Sequence, residues 1–356
     1  MIKSLSLDEL VKQNSSWLEA EESHGPVISS RVRLARNINA YHFPGWAKEE
    51  QHRAVWQQSV DLFTSFPAAY IAWEMESLSA LDREALFERH LISQELLQIE
   101  SSSGVFVSED ETMAVMINEE DHIRIQSLQA GLNVKAAWQE ATAIDDKIEE
   151  QISYAYSSKF GYLTSCPSNV GTGLRSSVML HLPGLVMLEE IDSIVNGISK
   201  IGLAVRGMWG EGSEAIGNMF QISNQITLGK KETDIIEHLE QIVLELIEHE
   251  QNARERLYNE NESLLKDHIW RAYGILSHAN AMSSSEAINL TSAIRLGLDM
   301  GLLDGLSRQE MDRLFIAAQP AHLQLTQQAV LDEKERDIVR ASMLRNRMKD
   351  VQLKNS

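Results

Sequence analysis

The segment CPSNVGTGLRSSVMLH, residues 166–181, joins the single cysteine of the chain, a loop with two glycines and an arginine. Gly171 and Gly173 give the backbone freedom to turn. We predict a helix over 174–200, with Arg175 facing a phosphate from the helix start, where backbone N–H groups attract anions. Cys166 fits either a thiolate beside a polar loop or a buried apolar filler.

Composition and charge narrow the class of protein. The chain has 356 residues, 43% of them hydrophobic, which is enough for one large core or two ordinary ones. A single cysteine excludes an intrachain disulfide, and the N-terminus lacks the apolar run of a secretory signal. We expect a cytoplasmic protein without a membrane span, since no apolar stretch approaches about 18 residues. The formal net charge of −20 argues against general nucleic-acid binding and favours a basic partner.

The sequence mixes strand and helix patterns up to about residue 230 and is typical of helices beyond it. Strands are predicted at 70–75, 105–108, 113–117, 122–127, 161–165, 203–208 and 218–228. Helices are predicted at 47–65, 133–158, 174–200, 231–258, 264–276, 284–300, 308–318 and 333–353. The polar turn 118–121 indicates an antiparallel hairpin. We therefore predict an α+β protein: an antiparallel β-sheet domain flanked by helices over 1–258, then an all-helical C-terminal domain over 259–356.

Two arginines stand close together in SSRVRLARN, residues 29–37. On an extended segment, Arg31 and Arg33 leave from the same face while Val32 points to the other. Two guanidinium groups side by side suit a polyphosphate. The alternative is a solvated, salt-bridged edge strand.

A second polar motif is NEEDHIRIQ, residues 118–126. Glu120, His122 and Arg124 share one parity, so a continuous strand would present them together. A carboxylate beside a phosphate-binding arginine can orient a nucleophile and take its proton. The alternative is a polar hairpin tip with Glu119 and Asp121 in solvent.

The glycine-rich segment RGMWGEGSEAIGN, residues 206–218, matches a dinucleotide-binding fingerprint only loosely. That fingerprint belongs between a strand and a helix, whereas the segment after it here is strand-like. The chain also lacks a P-loop, the protein-kinase motif set and zinc-ligand clusters. If the protein binds ATP, arginines hold it.

In this order, the four motifs resemble the catalytic signatures of the phosphagen (guanidino) kinases, and within them the bacterial protein arginine kinases of the McsB type. The resemblance spans about residues 29 to 229, and the helical tail is part of the same match. It implies the guanidino kinase fold, ATP as donor and Mg²⁺ carried mainly by the phosphates and water. Its catalytic carboxylates match Glu120 and Glu211, and its reactive cysteine matches Cys166.

The resemblance also implies a nucleotide site. It takes in Ser29, Ser30, Arg31, Val32, Arg33, His90, Arg124, Arg175, Ser176, Ser177, Val178, Met179, Arg206, Gly207, Met208, Trp209, Gly210 and Glu211. The five arginines of this set would neutralise phosphate charge. The two carboxylates would grip the acceptor guanidinium and remove its proton, because a group with a pKa of about 12.5 to 13.8 is a poor nucleophile until a proton leaves. We give Glu120 the stronger claim to the role of general base.

Two departures from the small-metabolite kinases bear on the acceptor. Those kinases carry a helical domain of about a hundred residues, with a specificity loop, ahead of the SSRVR motif, by family likeness. Here 28 residues precede Ser29, so we expect an arginine side chain on a protein as the acceptor. Trp209 stands where metabolite kinases usually carry arginine, and we expect one phosphate contact to be lost or replaced there.

The last predicted helix contains Arg336, Asp337, Arg340 and Ala341, which match the RDxxRA motif of the McsB type. The resemblance implies a regulatory phosphoarginine pocket. Arg336 and Arg340 share a helical face, a geometry that can hold a phosphate but is also common on solvated helices.

The resemblance implies an ATP-dependent protein arginine kinase that marks a stress-response repressor and damaged proteins for Clp-type proteolysis. Its expected partners are proteins with exposed arginine, an activator of the McsA type, a Clp-type protease and a second copy in a homodimer. Two alternatives stay open: a free-guanidino metabolite kinase, and a non-catalytic adaptor that binds phosphoarginine through Arg336 and Arg340.

Charge steering gives a first prediction. If the net charge of −20 attracts basic substrates, phosphorylation of an arginine-rich protein should weaken with salt more steeply than ATP binding does, because mobile ions screen long-range attraction. Initial rates and ATP affinities across one salt series check this. Equal salt slopes would contradict steering.

Overall fold

The computed structural model describes residues 2–20, 25–99, 101–207 and 215–354. Two compact units divide the chain. Unit 1 comprises Met1–Trp17, Ser29–Val178 and Ser223–Glu240, and unit 2 comprises Leu18–Ile28, Met179–Ile222 and Gln241–Ser356.

Strands and helices are mixed before residue 230, and helices dominate after it. The strands are β1 (Ile2–Lys3), β2 (Val27–Arg36), β3 (Tyr70–Glu74), β4 (Gly104–Ser108), β5 (Met113–Ile117), β6 (Ile123–Ala130), β7 (Tyr156–Ser157), β8 (Gly161–Tyr162), β9 (Leu174–His181), β10 (Leu203–Gly207), β11 (Met219–Asn224), β12 (Leu303–Asp304) and β13 (Gln352–Leu353). The helices are α1 (Leu7–Leu10), α2 (Glu49–Ser65), α3 (Ala80–Glu88), α4 (Gln94–Leu97), α5 (Val134–Glu149), α6 (Pro183–Met187), α7 (Ile191–Lys200), α8 (Glu232–Glu260), α9 (Glu262–His278), α10 (Ser284–Asp299), α11 (Arg308–Ala317), α12 (Pro320–Gln327) and α13 (Glu333–Met348).

Nine strands form one sheet in the order β1-β3-β4-β5-β6-β2-β9-β11-β10. The pairs β3–β4, β4–β5, β5–β6 and β2–β6 are antiparallel, whereas β1 pairs with β3 in parallel. The predicted hairpin is present, with β5 ending at Ile117 and β6 beginning at Ile123. The predicted α+β class, with a mostly antiparallel sheet flanked by helices, is confirmed.

Aromatic packing joins α2 to the sheet in unit 1. The ring of Phe106 on β4 stacks on Phe63 at 4.2 Å between centroids and on Trp56 at 5.2 Å. Both α2 residues lie on the apolar stripe that faces inward. The pattern predicted this helix over 47–65, and the structure has it over Glu49–Ser65.

The predicted helix over 174–200 is wrong. Residues Leu174–His181 form the buried strand β9, followed by the separate helices α6 and α7. Pro183 explains the break, because proline has no N–H to donate inside a helix and is tolerated at its first position, where it stands in α6. Arg175 therefore projects from a strand and not from a helix start.

Other boundaries shifted as well. The helix predicted over 133–158 ends at Glu149, and the strand predicted over 161–165 shortens to Gly161–Tyr162. In the helical part, the structure adds α12 between α11 and α13. The division predicted at residue 258 stays a prediction.

A buried ion pair fixes the end of β2 in unit 1. Nε and Nη2 of Arg36 donate to the Asp145 carboxylate of α5, with Nη2 to Oδ2 at 2.6 Å. The two side chains are 1% and 6% exposed. The guanidinium also lies 3.6 Å from the ring centre of Tyr162 and donates to the carbonyl of Thr172 at 2.9 Å. The pair thus joins the strand, α5 and the loop before β9.

Unit 2 has its own apolar core, formed largely by α9, α10 and α13. Its fully buried side chains include Ile269, Leu276, Ile294 and Leu344. Within the parts of the chain that the structure describes, none of the helices has the length and apolar character needed to span a membrane.

The Arg36–Asp145 pair gives a stability prediction. Arg36→Met should lower the free energy of unfolding by about 3 to 5 kcal/mol, because it leaves a buried carboxylate without its partner. Urea unfolding followed by circular dichroism measures the change. Arg271→Ala is the control, since its 4.0 Å pair with Asp267 is 74% and 64% exposed and such pairs contribute about 0 to 1 kcal/mol. Equal effects of the two variants would contradict the role of the buried pair.

Candidate active site

The pleat of β2 sorts the predicted nucleotide residues into two sets. Ser30 and Val32 point to the buried side, where Oγ of Ser30 accepts the Asn133 N–H at 2.9 Å and donates to the Gly131 carbonyl. Arg31 and Arg33 lie on the opposite face and are partly buried. The predicted same-face arginine pair is therefore present, but the side chains of Ser30 and Val32 serve the core.

Arg124 joins the same face from β6. Its register partner is Ala35 of β2, two residues beyond Arg33, and residues directly opposite each other in an antiparallel pair share a face. Arg175 on β9 adds a fourth guanidinium, whose Nη2 donates to Oγ of Ser223 at 3.3 Å. Three neighbouring strands, β6, β2 and β9, thus supply four of the five predicted phosphate-binding arginines.

Burial and the neighbouring arginines disfavour the positive charges of Arg31 and Arg33. Burial, followed by the charges of Arg175 and Arg124, lowers the pKa of Arg31 to about 10. Burial, followed by the charges of Arg31, Arg124 and Arg175, lowers the pKa of Arg33 well below its ordinary value. The charge of Glu119 acts in the opposite direction. A cluster of this kind favours a polyanion, because an anion with several charges relieves every repulsion at once.

His90 lies beside this cluster with a backbone φ of 58°. Its carbonyl accepts a hydrogen bond from Nε2 of Gln126 at 2.7 Å. Its ring packs edge-on against Trp17, with 5.4 Å between the ring centroids. Burial, with a contribution from the charge of Arg31, lowers the pKa of His90 to about 3. The imidazole is therefore neutral at physiological pH, which suits contact with a nucleotide without adding positive charge.

The hairpin tip places two carboxylates on Arg124. Nη2 of Arg124 donates to Oε2 of Glu120 at 2.9 Å, and Nη1 donates to Oε1 of Glu119 at 2.6 Å. Burial raises the pKa of Glu120 despite the opposing charge of Arg124. The Glu120 side chain is 38% exposed, so it is accessible to an incoming group. A reachable carboxylate with a raised pKa is well matched to accepting a proton.

Glu119 was missed by the sequence reasoning, which considered it only as a solvated residue of the tip. The Glu119 side chain is buried. Its Oε1 also accepts a hydrogen bond from Oγ of Ser93 at 2.6 Å, and its Oε2 accepts one from the Glu120 N–H at 2.7 Å. Glu119 therefore holds both Arg124 and the backbone of Glu120. A run of three acids carries no signal that tells which member is buried.

Cys166 is partly buried and precedes a short 3₁₀ turn, Pro167–Asn169. Its Sγ lies 3.0 Å from Oγ of Ser168, and its carbonyl accepts Oγ1 of Thr164 at 2.8 Å. The thiol is therefore not fully buried and contacts a hydroxyl.

Arg175 is the partly buried residue of the run 175–179 on β9. Ser176, Ser177 and Val178 are buried, and the Ser176 N–H donates to the Asn224 side chain at 2.7 Å. Arg206 and Gly207 end β10 in unit 2. The predictions for Met208, Trp209, Gly210 and Glu211 fall outside the described residues.

The RDxxRA residues lie on α13 in unit 2. Arg340 is buried and donates to the carbonyls of Ala318 at 2.7 Å and Met282 at 2.8 Å, and to Asp337 at 2.6 Å. Arg336 is partly buried and donates to the carbonyl of Leu331 at 2.8 Å. Ala341 is part of the core. The two arginines thus differ strongly in exposure, a difference that helical spacing alone does not predict.

Among the residues that the structure describes, no group of three or more His, Cys, Asp or Glu side chains is placed to hold a metal ion. The cationic face described above fits the phosphates of a nucleotide, which themselves bind divalent cations.

A sheet face with four clustered arginines and an adjacent carboxylate is typical of enzymes that transfer phosphoryl groups. Residues 54–253 match the family described as ATP:guanido phosphotransferase, C-terminal catalytic domain, and the chain belongs to this family. Residues 262–356 match the Protein-arginine kinase McsB C-terminal domain, which places the chain in the protein-arginine kinase branch. The predicted resemblance is confirmed. The protein is a transferase, and its family uses ATP as donor.

Relatives and solved structures agree with this assignment. The chain is 43% identical over 351 residues to the protein-arginine kinase of Shouchella clausii, covering 97% of this chain and 98% of that protein. It is 44% identical over 339 residues to that of Bacillus subtilis, covering 94% and 93%. Lombricine kinase aligns with a TM-score of 0.58 at 26% identity, covering 70% of this chain and 71% of that structure.

The clustered arginines predict opposite effects of one substitution on the stability of the ligand-free protein and on its affinity for ATP. Arg33→Gln should stabilise the ligand-free protein by about 1 kcal/mol, because it removes a charge that burial and three arginines disfavour. The same change should weaken ATP binding about 10- to 100-fold, since a charge-assisted hydrogen bond to phosphate is lost. Thermal melts with and without ATP, together with calorimetric titration, measure both effects.

Arg53→Gln is the control, because Arg53 is an exposed arginine of α2. It should change neither quantity. An Arg33 variant that binds ATP as tightly as the unaltered protein would contradict the assignment of this face to phosphate.

Proposed function

We propose that this protein transfers the γ-phosphoryl group of ATP to arginine side chains of proteins. The observation that carries the proposal is the cluster of Arg31, Arg33, Arg124 and Arg175 beside the reachable carboxylate Glu120. The protein acceptor is supported by the match of residues 262–356 and by relatives named protein-arginine kinase that span nearly the whole chain.

The arginine face would bind the triphosphate and stabilise the charge that builds up during transfer. Glu119 and Glu120 already offset the charge of Arg124. The four arginines would share the contacts to the phosphates. Positive groups fixed before the reaction need no reorganisation as charge spreads onto the equatorial oxygens, which lowers the barrier.

Glu120 would act on the acceptor. An arginine guanidinium must lose a proton as a nitrogen attacks phosphorus, the N–P bond forms and the bond from phosphorus to the leaving ADP oxygen breaks. Glu120 would take that proton. Its raised pKa makes it a better proton acceptor than an ordinary glutamate, and Arg124 fixes its orientation at 2.9 Å.

Three further roles are proposed on the resemblance. Glu211 would be the second carboxylate that binds the acceptor guanidinium, and Cys166 would lie close to that guanidinium. Mg²⁺ would be held mainly by the phosphates and water, and when bound it would neutralise phosphate charge. His90, neutral and next to Arg31, would contact the nucleotide.

The cellular role is likewise proposed on the resemblance. Phosphorylation would mark a stress-response repressor and damaged proteins for Clp-type proteolysis, with an activator of the McsA type and a homodimer as the working assembly, in the cytoplasm. The RDxxRA residues would form a regulatory phosphoarginine site. Because Arg340 is buried and bonded to two carbonyls, Arg336 is the more accessible of the two arginines for such a ligand.

A free-guanidino metabolite kinase is the second candidate, supported by the similarity to lombricine kinase. Incubation with ATP and either free arginine or an arginine-rich protein separates the two. Acid-labile phosphate located on arginine by mass spectrometry at neutral pH is the expected product. Product on free arginine alone would overturn the proposal.

Glu120→Gln tests the catalytic assignment. The amide cannot accept the proton, so kcat should fall about 10²- to 10⁴-fold while ATP binding changes little. In the unaltered enzyme, activity should decline as the pH falls through the raised pKa of Glu120, because the protonated carboxyl is no longer a base. Unchanged kcat in the glutamine variant would remove Glu120 from the mechanism.

A further inference from the structure

The hairpin tip holds a third carboxylate, which no step described above uses. Asp121 is fully buried. Its Oδ1 accepts Nδ2 of Asn37 at 2.6 Å and the backbone N–H of Ser165 at 2.7 Å. Asn37 follows β2, whereas Ser165 lies in the loop before β9. One buried oxygen therefore ties together two segments that are distant in sequence, and burial makes those bonds costly to lose.

Asn37 also forms hydrogen bonds with the residue that precedes β6 and with the loop 163–165. Its Oδ1 accepts the N–H of His122 at 3.0 Å, and its Nδ2 also donates to the Leu163 carbonyl at 3.2 Å. Nδ1 of His122 in turn accepts the N–H of Ile38 at 3.1 Å. The end of β2, the hairpin tip and the loop 163–165 are thus joined through side-chain hydrogen bonds.

Each of the three segments carries part of the proposed chemistry. β2 carries the phosphate-facing Arg31 and Arg33, Glu120 directly precedes Asp121 in the tip, and Cys166 directly follows Ser165. Asp121 is therefore hydrogen-bonded to residues that adjoin, along the chain, the donor-side strand and the proposed acceptor-side cysteine, and it directly follows the proposed base.

We infer that Asp121 is a positioning residue, whose bonds to Asn37 and Ser165 set the loop of Cys166 relative to Glu120 and so place the acceptor guanidinium. The inference rests on the proposed function in that the acceptor is a guanidinium. Asp121 does not touch the reacting atoms. Its effect follows from geometry, because a displacement of about 1 Å at reacting groups costs about 10²-fold in rate.

Asp121→Ala removes both bonds and should lower kcat about 100-fold, while KM for ATP changes less than about threefold. Asp121→Asn keeps an amide oxygen in the place of Oδ1, which accepts both hydrogen bonds, and it should lose only about 10-fold, since the bonds to Asn37 and Ser165 stay but lose the carboxylate charge. The graded response and the split between kcat and KM for ATP separate positioning from general damage to the fold.

A paired exchange tests the contact itself. Asn37→Asp places a second carboxylate within hydrogen-bond distance of Asp121, and the repulsion should lower kcat below that of Asp121→Asn. Combining Asn37→Asp with Asp121→Asn removes the second carboxylate and returns one carboxylate and one amide to the pair. The double variant should recover at least about tenfold in kcat over Asn37→Asp alone, as expected for coupled sites.

Asp110→Ala is the matched control. Asp110 is an exposed aspartate in the turn between β4 and β5, and it accepts hydrogen bonds from Thr112 in that turn. It should leave kcat unchanged. Melting temperatures of all variants are measured on the same samples.

Three results would overturn the inference: kcat of Asp121→Ala within about threefold of the unaltered enzyme, no recovery in the double variant, or a loss of ATP affinity and melting temperature that accounts for the whole loss of activity. Failure of the proposed function has a different signature. The unaltered enzyme would then phosphorylate free arginine and not protein, and the same variants would be compared with that acceptor.

Discussion

The two-residue pleat of β2 is the constraint on which the rest of the site depends. Along Val27–Arg36 it sends Val32 and Leu34 into the core and leaves Arg31 and Arg33 on the opposite face. The buried pair of Arg36 and Asp145 holds this register. A slip of one residue would exchange the two faces and place the phosphate-facing arginines in the core.

The arginine face is an electrostatic compromise. Glu119 and Glu120 neutralise Arg124, which lets a fully charged guanidinium remain at the centre of the sheet. Burial, and after it repulsion from neighbouring arginines, disfavours the charges of Arg31 and Arg33, as their lowered pKa values show. This arrangement favours a ligand with several negative charges, and burial protects the attraction from screening by salt. Binding strength and stability of the ligand-free protein are therefore opposed at these positions.

Much of this site follows from the sequence, because strand parity and turn composition are local. The alternation of side chains along a strand is enough to predict the same-face pair of arginines on β2, and the polar turn is enough to predict the β5–β6 hairpin. The residues of β9 fit helix and strand alike because they are a run of apolar and small side chains, and Pro183 marks the point at which a continuous helix cannot form. Glu119 and Asp121 were not identified as structural carboxylates, since their partners Ser93, Asn37 and Ser165 come from distant segments. Burial of a charge depends on tertiary contacts that no local pattern reveals.

A crystal structure with a non-hydrolysable ATP analogue, Mg²⁺ and an arginine-containing peptide tests the central claim most directly. We expect the β- and γ-phosphate oxygens within hydrogen-bond distance of the guanidinium groups of Arg31, Arg33 and Arg175, and the peptide guanidinium on Glu120. Phosphates bound away from this face of β2, or a peptide guanidinium that does not reach Glu120, would contradict the account.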